Sequence, residues 1–170
     1  MTISLHSASV PVFQHMLRNL AHILGKAEAH AEARKIDPTA LTAFRLAPDM
    51  LPLTRQVLIA CDGAKNGVAR LSGVEAPKFE DNEASFADLK ARIQQTLDYL
   101  GTVPAAALDG KDDAEITFPV GKDKSRTMKG EAYLTYWVLP NFFFHVTTAY
   151  AILRHNGVEL GKPDYLVGHH

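Results

Sequence analysis

The sequence predicts an all-α fold: a four-helix bundle with a small β-hairpin in the long connection before the last helix. Apolar residues recur at helical spacing in four separate stretches, and serine, proline and glycine punctuate the ends of those stretches. Between Pro104 and Gly130 the pattern changes to β-prone residues around a turn. At 170 residues and 46% hydrophobic content the chain is sized for one domain, residues 1–170, with a substantial core.

The first helix opens at Ser9-Val10-Pro11, where proline's fixed φ suits a first turn. Phe13, Leu17, Leu20 and Leu24 then fall on one stripe, which predicts a helix over roughly residues 9–33. Asp37-Pro38 starts a turn or single-turn helix, and Ala47-Pro48-Asp49 with Pro52 marks the next entrance. The second long helix, from about 51 to 72, carries the stripe Leu53, Val57, Ala60, Ala64, Val68 and Leu71, and Gly73 closes it as a left-handed stop. Its small residues predict close packing against a neighbour. Ser85, with Asp88 three residues on, forms a shorter relative of the capping box ahead of Phe86, Leu89, Ile93, Leu97 and Leu100, and this third helix ends near Gly101.

Glu115, Ile116, Thr117, Phe118 and Val120 favour a strand, Gly121 to Lys124 is turn-like, and Ser125 to Met128 pairs back, giving the hairpin. From Glu131 the chain is helical again. Pro140 lacks an N–H donor and is expected to break or kink that helix, leaving a piece near 131–138 before a final helix near 140–156 that Asn156-Gly157 ends. No repeat or linker divides the chain, and the long connection before the last helix suits a bundle with a crossover.

Eighteen Lys plus Arg nearly balance nineteen Asp plus Glu with no basic stripe, so no nucleic-acid partner and no anionic membrane surface is expected. No stretch approaches the roughly 20 apolar residues of a spanning helix, and Met1 to Val10 lacks the features of a signal peptide, so the reading is of a soluble protein. Cys61 is the only cysteine, which excludes an intrachain disulfide framework and a thiolate zinc cluster and fits a reducing, cytoplasmic setting. Among apolar neighbours it is structural by default. There is no Gly-x-Ser-x-Gly elbow, Walker loop or paired-cysteine motif, which weakens the case for an enzyme.

Of the eight histidines, His15 and His22 lie opposite Phe13, Leu17 and Leu20 on the helical wheel and are expected in solvent. His30 sits in a polar helix end, and His169-His170 form a terminal pair, mobile or the remnant of an expression tag. His145 differs, because Phe142, Phe143, Val146, Tyr150 and Leu153 leave its helix little exposed surface. An imidazole embedded there must be paired or used. Asn141 and Thr148 share its face. His155, ten residues on and about 15 Å along the axis, is too far to share an ion with it and suits the helix C-terminal dipole. Tyr133, Tyr136 and Trp137 either line the mouth of the same cavity or belong to the core. Asp49, Asp62 and Cys61 are further donors in and just before the second long helix, although Asp62 faces away from the Leu53 stripe.

The closing segment, from Asn141 through His145 and Leu153-Arg154 to Gly157, resembles the last helix of the DinB/YfiT-like proteins, a superfamily of four-helix bundles associated with metalloenzymes. Pro48-Asp49-Met50, Gln56-Val57, Cys61-Asp62 and the tail from Gly161 to Leu166 look like one bacterial branch of it. The resemblance implies a DinB-like bundle with one metal-binding histidine on the second long helix and an H-x-x-x-H pair on the last. In that register His145 takes the second histidine of the pair, Asn141 the first, and Gln56 falls near the remaining ligand. Two of three donors would then be amides, which bind divalent transition metals weakly, so the implied metal site is degenerate.

The expectations that follow are a ligand pocket of His145, Asn141, Gln56, Thr148 and Tyr133, a small-molecule partner, and no resident cofactor. The alternatives are a divalent transition metal on His145 serving a thiol-linked transferase or hydrolase, and a non-catalytic homodimer packed through Ala60, Ala64 and Gly67.

Overall fold

The computed structural model describes residues 3–168, and the expectation for His169 and His170 lies outside them. Helix α1, Val10–Arg34, has Pro11 in its first turn and buries Phe13, Leu17, Leu20, Ile23 and Leu24. A single-turn helix α2, Pro38–Thr42, follows with the Asp37 carboxylate accepting from the Thr39 N–H at 2.9 Å. Helix α3, Leu53–Ser72, buries the predicted stripe, and Gly73 ends it at φ 76°, a conformation that favours glycine. Helix α4, Phe86–Thr102, starts with the full capping box: the Asp88 N–H donates to Ser85 Oγ at 3.2 Å and the Ser85 N–H to Asp88 Oδ2 at 2.9 Å.

A short helix α5, Ala105–Leu108, leads to strands β1, Glu115–Pro119, and β2, Ser125–Lys129, paired antiparallel from Glu115 opposite Lys129 to Pro119 opposite Ser125. Ile116 and Phe118 turn inward, and the Phe118 ring lies 4.7 Å from that of Tyr133 and 5.0 Å from that of Trp137. The hairpin therefore covers the start of the last helix.

The segment divides at the expected place, just ahead of Pro140, by a change of helical winding rather than by a break. Helix α6, Gly130–Tyr133, runs through a π-helical turn at Leu134–Val138 into α7, Leu139–His155, without interruption. The Leu139 N–H reaches back five residues to the Leu134 carbonyl, and Pro140 sits at the start of the following α-helical stretch, where no N–H is needed. The wider turn makes room for the proline, so the helix need not break.

The long helices α1, α3, α4 and α7 form the bundle. Helix α1 packs against α4 and α7, and α3 against the same two, so the connections from α1 to α3 and from α4 to α7 both pass diagonally across it. Gln56 lies beside His145, Gly63 beside Asn141, Gly67 beside Val138 and Arg70 beside Tyr133, which makes α3 and the last helix antiparallel. A Cβ added at Gly67 would come within 2.5 Å of Val138 Cγ1, so glycine sets this close approach. Ala60, Ala64 and Gly67 are all buried within the chain.

The sequence gives no warning of helix α8, Lys162–Leu166, which packs on α1 and brings bonding partners to two histidines. His15 Nε2 lies 2.7 Å from the Leu166 carbonyl and His22 Nε2 3.1 Å from Asp164 Oδ1. Both lie on the face opposite the core; His15 stays exposed, as expected, whereas the returning tail half-buries His22. Among the described residues no helix is long and apolar enough to cross a membrane.

Candidate functional site

His145 is buried, at 8% exposure, by the apolar neighbours that flank it on α7. Its Nδ1 lies 2.7 Å from Gln56 Oε1, while Gln56 Nε2 donates to the Leu51 carbonyl at 2.9 Å. The second bond fixes the amide, because only its NH₂ group donates and only its oxygen remains to face the ring. Nδ1 must then carry the proton, and a neutral His145 holds its lone pair on Nε2. Burial pushes the imidazole below its ordinary value, which favours that neutral form.

One helical turn earlier, Asn141 enters a cavity of about 200 Å³ between α3 and the last helix. Ile59, Asp62, Gly63, Asn66 and Arg70 line it from α3, and Tyr133, Trp137 and Val138 from α6 and the π-helical turn. Asp62, Asn66 and Arg70 repeat every four residues and so share one face. At the far end Arg70 Nη1 donates to the Tyr133 hydroxyl at 3.0 Å. Among the described residues the side chains of Asn66 and Asn141 and the indole N–H of Trp137 have no hydrogen-bond partner in the protein, although all three residues are half-buried. None of these atoms is sealed from solvent, so each can bond to water or to a ligand. The π-helical turn lies along this cavity, a position where such turns are often functional.

The five side chains expected in one pocket are thus distributed over three places. Gln56 and His145 bond to each other, and Asn141 and Tyr133 line the cavity. Thr148 turns its hydroxyl back onto the Phe144 carbonyl at 2.7 Å and borders a separate apolar groove with Leu46, Phe143, Phe144, Thr147 and Ala151. His155 ends α7, its ring 5.6 Å from that of Phe44.

Sequence reasoning missed Asn66 and Arg70, whose spacing from Asp62 was the available signal. It also missed Arg92, which is 1% exposed and donates to Glu83 at 2.7 Å, to Asp81 at 2.9 Å and to the Glu80 carbonyl at 2.7 Å. Asp62 sits between the two regions, lining the cavity while its Oδ1 lies 3.0 Å from Lys65 Nζ and 3.5 Å from Arg92 Nη1. Cys61 is fully buried, and burial pushes its thiol up to about 12, so no thiolate is available at neutral pH.

The family model for the domain of unknown function DUF1993 matches residues 5–166. The chain belongs to the DUF1993 family. Its fold is DinB-like: it is 45% identical to a DinB family member from Shewanella denitrificans whose crystal structure superposes with a TM-score of 0.87, over 95% of this chain and 91% of that one. No curated protein matches the chain.

The donor set answers whether this DUF1993 chain suits the divalent metal that a DinB-like bundle implies. Gln56 Oε1 is taken up by the His145 ring, Asn141 offers an amide, and among the described residues no three His, Cys, Asp or Glu side chains gather in a metal-binding group. One imidazole with neutral amides is a weak set for zinc or nickel. These residues do not fit a three-ligand divalent site.

Proposed function

We propose that this DUF1993 protein is a non-catalytic binding protein for a small polar molecule, held in the cavity between α3 and the last helix. The observation that carries this reading is the set of half-buried, unpartnered Asn66, Asn141 and Trp137 polar groups around a space of about 200 Å³. That space is below the roughly 300–1,000 Å³ typical of drug-sized ligands, so the occupant is metabolite-sized. A cytoplasmic setting belongs to the reading, since the lone Cys61 is kept as a buried free thiol. A homodimer through Ala60, Ala64 and Gly67 has less support, because those residues are consumed by packing inside the chain.

The test is equilibrium dialysis of the protein against a polar metabolite extract, with mass spectrometry of the retained compounds. Gly63→Val, which adds bulk next to Asn141, and Asn66→Leu serve as altered-cavity controls, with far-ultraviolet circular dichroism to confirm folding. The expected result is a compound enriched by the parent and lost in both variants. Equal retention by all three would sink the reading.

One observation favours a metal-dependent enzyme instead: the Gln56 amide orients His145 as second-shell carbonyls orient metal-bound imidazoles, with Nε2 unprotonated. Elemental analysis giving about one transition metal per chain, lost in His145→Ala, would support that reading. Equal trace metal in both proteins would remove it.

A further inference from the structure

The composition of the cavity says which chemistry its occupant should carry, an inference that rests on the binding role proposed above. Donors outnumber acceptors at the Arg70 end. Arg70 gives one N–H to Tyr133 and pairs with no carboxylate among the described residues, so most of its five donors remain available. The Tyr133 hydroxyl accepts from Arg70 and donates to no other group among the described residues, which leaves its own proton to offer. Trp137 lines the same space.

At the other end stand Asn66 and Asn141, each with a free carbonyl and a free NH₂, and Asp62. The Asp62 charge is offset by Lys65 at 3.0 Å and Arg92 at 3.5 Å. Arg70 lies eight residues from Asp62, about 12 Å along the helix axis at 1.5 Å per residue. That separation exceeds the roughly 8 Å screening length of physiological salt, so Asp62 does not oppose an anion held at the far end.

The geometry points to a small aliphatic carboxylate as the ligand, its carboxylate on Arg70 and Tyr133 and a hydroxyl at its other end between Asn66 and Asn141. A planar guanidinium beside a phenol suits the two oxygens of a carboxylate, and the amide pair can both give and take a hydrogen bond from one hydroxyl. The narrow volume restricts the ligand to a short chain.

Trp137 is the only tryptophan and lines the cavity, so its indole N–H signal is a single reporter of binding there in proton–nitrogen correlation spectra. The probes are 4-hydroxybutyrate, butyrate and butane-1,4-diol, titrated at constant ionic strength. The expected result is a saturable shift of the Trp137 indole with 4-hydroxybutyrate, weaker binding of butyrate, and much weaker binding of the diol. Arg70→Gln, an exposed position that should fold, is expected to weaken the hydroxycarboxylate roughly ten- to hundredfold and leave the diol unchanged.

If the diol binds as tightly as the carboxylates and Arg70→Gln changes neither, the carboxylate assignment is overturned while the cavity remains a binding site. If carboxylate binding persists in Gly63→Val with the same indole shift, the ligand lies elsewhere and the assignment is overturned. If no probe moves the indole saturably, the carboxylate assignment is overturned; whether the binding role fails with it is read from the dialysis experiment, where equal retention by parent and altered-cavity variants overturns that too.

Discussion

His145 and Gln56 meet across the α3–α7 interface with Nδ1 and Oε1 2.7 Å apart, and the Leu51 carbonyl holds the far side of the amide. The relay decides the tautomer of a buried ring, and it occupies the Gln56 oxygen.

Gln56→Leu removes the acceptor and leaves the His145 Nδ1–H buried without a partner. The expected cost is about 1–3 kcal/mol, read from the denaturant midpoint. The same ring makes stability depend on pH. Its folded pKa lies below the unfolded value of about 6.5, so the unfolded state takes up the proton first as pH falls. Stability is therefore full above that value and declines as pH drops from it toward the folded pKa. In His145→Gln that part of the decline should vanish.

Asp164 gives the same sign in a lower pH range. Burial would raise its pKa, but the Gly161 N–H, the Lys26 ammonium and His22 more than reverse this and hold it at about 2. A depressed carboxylate stabilises above its unfolded pKa and stops doing so as pH falls through the folded one. Asp164→Asn should cost about 2 kcal/mol at neutral pH, and the gap from the parent should close between about pH 4 and 2. Urea melts across that range check both halves, and a gap that stays constant would contradict the account.

Gly67→Ala places a methyl group against Val138, whose branched side chain is itself buried. Overpacking of this kind costs about 1–3 kcal/mol. A double-mutant cycle with Val138→Ala should recover much of that loss, whereas strict additivity would mean that the two residues do not meet.

Arg92→Met should be the most damaging of these changes. It strips the ion partner from Glu83, whose side chain is only 8% exposed, and frees the segment around Glu80 and Asp81. Loss of one member of a buried ion pair typically costs about 3–5 kcal/mol. Hydrogen exchange should speed up at residues 77–84 while the centre of α1 stays protected, and unchanged exchange there would count against the role given to Arg92.

The helices were legible because their signals are local. Ser85 with Asp88, Gly73, and the stripes on α1, α3 and α4 each predict their element from neighbouring residues alone. The burial of His145 was legible for the same reason, since α7 is apolar around it. Its partner was not, because an α3 register was needed to place Gln56 opposite, and that came only through the family resemblance. The partners of His15 and His22 come from a five-residue helix returning from 140 or more positions away, which no helical wheel contains. Pro140 marked the place of the division but not its form: a π-helical turn can absorb a proline that an α-helix would not, and composition does not distinguish the two.

The most direct measurement of the central claim is a crystallographic map of the α3–α7 cavity at high enough resolution to orient its amides. The expected map shows a polar molecule or ordered waters bridging Asn66, Asn141 and Trp137, with His145 bonded to Gln56 and no ion on its Nε2. A cavity collapsed so that the two asparagines satisfy each other, or a metal ion seated on His145, would contradict it.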